Sequence, residues 1–388
     1  MFKKFLFVFY NFIIFIMVGM IGFIMPTNIK PVMSANVCPS MVFDKIIQFI
    51  KPNDKVEDAQ VIERFKVYIS GRPMGFSIDG GGVVVVTMGE IKTSTGYVKS
   101  PSEDAGVKIG DVIVRANGNE VTSGERLIDI VNNTPNKVSD LEILREGEVK
   151  NISVVPQFDD FALSYRLGVW VRDNAVGVGT ITYVTENGGF SALGHPVTDI
   201  DTSTIFPVGD GSAYKCSIVG LKKGKKGEPG ELKGLFLKTS NKIGDIETNT
   251  ERGIMGRFVS EEVSSAFCNN ELTEVALRKE VAPGKGTIYT TIDGCEPEYY
   301  DIEIIKTNHI NSYGNKCMVI RITDEKLLNA TGGIIQGMSG SPIIQNGKLV
   351  GCVTHVFIND PTKGFADFID KKWDNSKNYL ILFKIIQK

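Results

Sequence analysis

The stretch Gly332-Gly-Ile-Ile-Gln-Gly-Met-Ser-Gly-Ser-Pro342 sets four glycines around two serines. Glycine at that density lets the backbone turn sharply to present a hydroxyl. It also lets neighbouring amides converge on one point, as a developing oxyanion requires. The amides of Gly337 and Ser339 are the pair so spaced. A serine two residues after the glycine donor meets this geometry, which selects Ser339 over Ser341 as the candidate nucleophile. Beyond it Pro342 opens an apolar run, Asn346-Gly347 supplies a two-residue turn, and Leu349 to His355 returns, so the serine precedes a β-hairpin.

A serine hydroxyl is a weak nucleophile and needs a base, and the chain holds 3 histidines. His195 lies in Gly188-Gly-Phe-Ser-Ala-Leu-Gly-His-Pro-Val197, after a predicted hairpin with its turn at Glu186-Asn187-Gly188. Gly194 and Pro196 flank it, so it ends a strand where a side chain can face a cleft. His355 is predicted just past the strand that follows the serine hairpin, and His309 precedes an Asn-Ser-Tyr-Gly turn; both read as structural. Candidates for a carboxylate that orients the imidazole are Asp199, Asp201, Asp210, Asp245 and Asp324.

The remainder of the chain bounds these readings. Its 388 residues exceed one ordinary core and predict two globular units with attachments. With 41 Gly and 15 Pro between short apolar and β-branched runs, the units are sheet-rich. A formal charge of -2 gives no broad cationic field, which argues against a dedicated nucleic-acid binder. Lys3 and Lys4 precede an apolar stretch from Phe5 to Met25, long enough to span a bilayer with the body outside the cytoplasm. A cleaved signal peptide is the alternative, since Ser34 and Ala35 follow. The 6 cysteines include no CxxC pair and no zinc-type spacing, so they read as buried apolar residues, and neither a metal nor another cofactor is expected. The Lys- and Gly-rich segment 220–234 reads as an exposed loop or hairpin tip.

Ser100-Pro-Ser-Glu-Asp-Ala-Gly-Val-Lys-Ile-Gly-Asp-Val-Ile113 followed by Ala116-Asn-Gly-Asn-Glu-Val121 resembles the PDZ family over roughly 66–155. Gly106 and Gly110 permit a tight turn whose amides Asp111 can bond, and Val112 and Ile113 enter the core. The resemblance implies a peptide that adds as a strand beside the sheet, its carboxylate received by a loop of amides. That loop is expected at Arg72-Pro73-Met74-Gly75, with Phe76-Ser77-Ile78 as the pairing strand. Pro73 and Met74 depart from the commonest form of the loop, so an internal segment or the chain itself are further candidate ligands.

The Gly-x-Ser-Gly-x-Pro core resembles the nucleophile loop of chymotrypsin-like serine peptidases. There the base precedes the serine by a whole subdomain, which selects His195 and places the site between two β-barrels. That pattern takes its acid from the first barrel, as Asp245 would be. A wider set of segments resembles the stage IV sporulation protein B peptidase family over nearly the whole chain. In order these are the apolar N-terminus, the PDZ stretch, Ser191-Ala-Leu-Gly-His-Pro-Val-Thr-Asp199, Asn249-Thr-Glu-Arg-Gly-Ile254, Gly337 to Gly347, and Thr354-His-Val-Phe357. The resemblance implies His195, Asp324 and Ser339 as catalytic residues. It further implies a signalling protease made in the forespore and exported to the intermembrane space of the sporangium. There it would cleave itself and a membrane-bound regulatory protein, releasing mother-cell sigma-factor activation. The expected architecture is mainly β: an anchor over 1–26, a tether over 27–65, a PDZ domain over 66–155, and a double-barrel peptidase over 156–388. Two rival readings are a non-catalytic PDZ scaffold and an envelope quality-control protease.

Overall fold

The computed structural model describes residues 65–133, 138–238, 241–269, 271–309 and 314–372. The anchor expected over 1–26, and all but the end of the tether, lie outside the described residues, as does Cys38. Among the described residues no helix is long and apolar enough to cross a membrane.

Two closed six-stranded antiparallel barrels carry the molecule. The first runs Pro73–Met88, Val169–Val184, Gly189–Ala192, Gly253–Phe258, Lys242–Thr250 and Asp210–Lys215, then closes back on Pro73–Met88. Its interior holds Met74, Phe76, Ile78, Ile181, Phe190 and Ile254, all buried. The second runs Gly284–Thr290, Glu298–Thr307, Met318–Ile322, Lys363–Phe368, Lys348–Val356 and Pro342–Gln345, and closes on the first of these. Ile288, Ile302, Ile320, Val350 and Phe368 fill it. Closure leaves neither barrel with an open strand edge, which suits short, turn-rich strands. The turn read from sequence at Asn346-Gly347 forms with positive φ of 52°/72°, and Asn117-Gly118 turns in the same way at 52°/75°.

The PDZ unit grows out of the first barrel instead of preceding it. Residues 73–79 pair with 174–180 on one side and with Asp210–Lys215 on the other, inside the barrel. Past a glycine break, Val83 and Val84 of the same strand pair with Val112–Ala116, while 84–88 pair with 169–172. Gly81, at φ 74°, makes the break, its amide bonded to Asp79 Oδ1 at 2.7 Å. Two long strands are therefore shared, and a separate core of Val83, Val85, Ile113, Leu127, Leu141 and Ile143 sits on their outer halves. Asp111, buried, accepts the Lys108 amide at 2.7 Å as the turn motif requires, and pairs with Arg145 at 2.6 Å. The division expected at 155/156 is thus not a seam: strands Lys66–Ile69 and 73–79 belong to the peptidase body, and the PDZ core begins near residue 83.

Candidate active site

Ser339 sits in the loop between helix Glu325–Thr331 and strand Pro342–Gln345 of the second barrel. The loop is docked on strand Val169–Val184 of the first. The Thr180 amide donates to the Ser339 carbonyl at 3.1 Å, Thr180 Oγ1 to the Gly337 carbonyl at 2.8 Å, and Thr182 Oγ1 to the Gly340 carbonyl at 2.7 Å. Gly337 and Gly340 take φ of 94° and 96°, and a Cβ at Gly340 would collide with the Thr180 carbonyl and Leu193. These positions therefore require glycine. Among the described residues the amides of Gly337 and Ser339 donate to no protein group, which leaves both for an oxygen of a ligand.

The Ser339 hydroxyl accepts the Gly194 amide at 3.0 Å, in a buried contact that spans 145 residues of sequence. Ser339 is thus bonded, across the junction of the barrels, to the residue that immediately precedes His195 in sequence. His195 Nδ1 lies 2.9 Å from the Pro196 carbonyl. A carbonyl only accepts, so Nδ1 carries the proton of the neutral ring and Nε2 keeps its lone pair. Burial lowers the imidazole pKa below the ordinary value; the Pro196 carbonyl opposes this, and the charge of Lys372 adds to it. Ser341 is fully buried, its Oγ 2.7 Å from both Thr290 Oγ1 and the Met338 carbonyl, and so serves the turn.

A family model described as SpoIVB peptidase S55 matches residues 163–372, more than half of the chain, and a PDZ model matches 74–155. The chain belongs to the SpoIVB peptidase S55 family. It is a serine endopeptidase carrying a PDZ domain. Among solved structures, this S55 peptidase is similar to an inactive mutant form of Rv3671c from M. tuberculosis H37Rv. The identity is 11%, with 52% of this chain and 80% of that one covered, at a TM-score of 0.26. It is also similar to the HtrA-type protease AlgW with decapeptide, at 12% identity, 64% and 66% coverage, and a TM-score of 0.31.

The structure does not bring Asp324 to the imidazole of this S55 peptidase. Asp324 caps helix Glu325–Thr331, its Oδ1 accepting the Leu327 amide at 2.9 Å and its Oδ2 lying 3.4 Å from the Asp301 amide. Asn315, which bonds the Gly194 carbonyl at 2.8 Å, precedes strand Met318–Ile322, whereas Asp324 follows it. At ~3.3 Å per residue the strand alone separates the two ends by roughly 13 Å. The other candidates are also engaged elsewhere. Asp199 is buried, ion-paired with Arg172, and accepts the Asp201 and Thr202 amides, while Asp201 is exposed beside Arg172. Asp245 pairs on the surface with Lys242 at 2.7 Å, and Asp210 is exposed at a strand end. The group facing His195 Nδ1 is a backbone carbonyl.

Further neighbours surround His195 and the Ser339 loop. His355 lies within strand Lys348–Val356, its ring centroid 5.4 Å from that of His195. Burial, then the charges of His195 and Lys316, push its pKa down to about 4. His309 packs on Phe368, its centroid 5.4 Å from that ring. Asn249 clamps the turn after the histidine, accepting the Val197 amide at 2.9 Å and donating to the carbonyls of Val197 and Phe206. Segment 220–234 does form a hairpin, between Ser217–Lys222 and Glu231–Leu235. It also abuts the Ser339 loop, with the Leu232 amide on the Gln336 carbonyl at 2.8 Å and the Gln336 amide on the Gly230 carbonyl at 2.9 Å.

The peptide-binding expectation at 72–78 is corrected by the same barrel. Both edges of 73–79 are paired, and Met74 and Ile78 are fully buried, so no strand can add there. Arg72 is spent on Glu296, at 2.6 Å, bridging towards the second barrel. The PDZ unit instead has a cavity of about 560 Å³ between helix Gly124–Asn132 and the backbone of 165–171. Leu127, Ile128 and Val131 line the helix side, and Tyr165, Leu167 and Val169 the strand side.

Proposed function

We propose that Ser339 and His195 are the nucleophile and base of this peptidase. We propose also that it acts outside the cytoplasm as a membrane-tethered signalling protease of sporulation, cutting itself and a membrane-bound regulatory protein. The observation that carries the site is the Ser339 hydroxyl held on the Gly194 amide, next in sequence to His195 and beside two unengaged amides. The signalling role rests on the family and on the apolar N-terminal stretch.

In this reaction Ser339 Oγ attacks the scissile carbonyl carbon as His195 Nε2 takes the hydroxyl proton. The carbonyl oxygen becomes an oxyanion bonded by the Gly337 and Ser339 amides; each donor of this kind is worth about 3 to 4 kcal/mol in the transition state. His195 then passes its proton to the leaving amine, and a water deprotonated by Nε2 releases the acyl group. Through these steps the Pro196 carbonyl keeps the proton on Nδ1 and fixes the ring. A peptide in the PDZ groove, from the substrate or from the chain itself, would bring the scissile segment close at high effective concentration.

Purified parent is incubated beside Ser339→Ala and analysed by intact mass. The parent is expected to shorten at its N-terminal region while the variant stays full length; equal processing would end the self-cleavage reading. Broad digestion of unfolded casein by the parent would favour quality control instead.

A further inference from the structure

Two buried polar side chains outside the proposed catalytic pair converge on the peptide groups just before His195. Lys372, in the helical residues 369–372 that follow strand Lys363–Phe368, is 0% exposed. Its ammonium donates to the Leu193 carbonyl and lies 3.4 Å from Ser191 Oγ. Asn315, 7% exposed, donates through Nδ2 to the Gly194 carbonyl at 2.8 Å and to the Glu251 carbonyl at 3.0 Å. Both reach across from the second barrel into the first. Their targets are consecutive, and Leu193 is held at φ 61°, a conformation a branched residue adopts only when its surroundings impose it. The peptide between Leu193 and Gly194 thus carries the Lys372 contact on its carbonyl and the Ser339 contact on its amide.

Burying an ammonium is costly unless its site repays the lost hydration. A fully buried lysine bonded to the Leu193 carbonyl, with Ser191 Oγ and the Cys352 thiol beside it, therefore points to a specific task. The geometry points to Lys372 and Asn315 as positioning residues that lock the Leu193–Gly194–His195 backbone and so orient the imidazole. The inference rests on His195 and Ser339 being base and nucleophile. It has an electrostatic side as well. The groups facing His195 are His355 from strand Lys348–Val356, with Lys316 beyond it, and Lys372. Around Lys372 lie Cys352 and Asp367, and Asp367 is also contacted by Arg252 at 3.3 Å and Lys371 at 3.8 Å. The Lys372 cation works in the same direction as burial, holding the imidazole neutral and ready to accept a proton.

The test uses the full chain and a fluorophosphonate probe, which reacts with an activated serine and needs no known substrate. Labelling rates are followed between roughly pH 5 and 8. Parent, Lys372→Met, Lys372→Arg and Asn315→Ala are compared, with folding verified for each by circular dichroism. Displacing the base by a fraction of an ångström to an ångström should slow labelling by on the order of ten- to a hundredfold in Lys372→Met and Asn315→Ala. In Lys372→Met the acid limb should also move to higher pH, whereas Lys372→Arg keeps the charge and should retain the parental limb. A folded Lys372→Met with the parental rate and limb overturns the proposal, as does a Lys372→Arg limb that moves with that of Lys372→Met. If Lys372→Met does not fold, Asn315→Ala decides, and its full rate overturns the clamp. Ser339→Ala and His195→Ala run alongside: undiminished labelling in either sinks the catalytic pair itself, a failure distinct from that of the clamp.

Discussion

At the scale of single residues, the site is set by which groups are already occupied. Ser341 and Asp324 look as reactive as their neighbours in sequence, but one is tied into the turn and the other caps a helix. Asparagine caps as well as aspartate. Asp324→Asn should therefore keep activity within a few-fold, where loss of a true triad acid costs about 10⁴-fold. Asp324→Ala should lose about 1 kcal/mol of stability in denaturant titration. The histidines make a pH prediction. Burial depresses His195 and His355, so both are neutral in the fold at pH values where an unfolded chain, with an ordinary histidine pKa of ~6.5, already binds protons. Stability is then full above that value and falls with acidification towards about 4, the value of His355. The loss from His355 is at most about 3 kcal/mol, reduced by solvent at its half-buried ring. Activity should persist into mildly acid solution for the same reason, and a pH series of melting curves and rates checks both.

Among elements, the strand Pro73–Met88 shows how far sequence could be read. Its glycine and apolar residues at 72–78 match a carboxylate-binding loop locally, and nothing in the local pattern says that both edges are taken. Pairing to residues some 100 and 140 positions away decides it. Met74→Ala should thus behave as a barrel-core truncation, costing about 2–5 kcal/mol in thermal or denaturant unfolding. An exposed loop would barely register the change. By contrast the turn at Asn346-Gly347 and the glycine-rich loop around Ser339 are legible, because each is specified within a dozen residues by glycine, asparagine and apolar spacing. Asn315, Lys372 and His355 were not, since a polar side chain becomes a site residue only through long-range contacts.

At the scale of the described body, the PDZ unit is an outgrowth of two shared barrel strands, and strand Val169–Val184, which lines its cavity at 169–171, also docks the Ser339 loop through Thr180 and Thr182. Order along the chain suggested two beads; the antiparallel continuity of 73–88 with 169–184 makes one body with a projecting unit. Deleting 66–155 removes a barrel strand and should abolish soluble folding. Joining residue 80 to residue 173 through a short linker should leave the first barrel closed, with cooperative unfolding by calorimetry.

Ser339 should act as a nucleophile activated by His195. Mass-spectrometric mapping of the fluorophosphonate adduct tests this most directly. It should lie on Ser339 in the parent, vanish in Ser339→Ala and fall by orders of magnitude in His195→Ala. An adduct on Ser341, or equal labelling without His195, would contradict it.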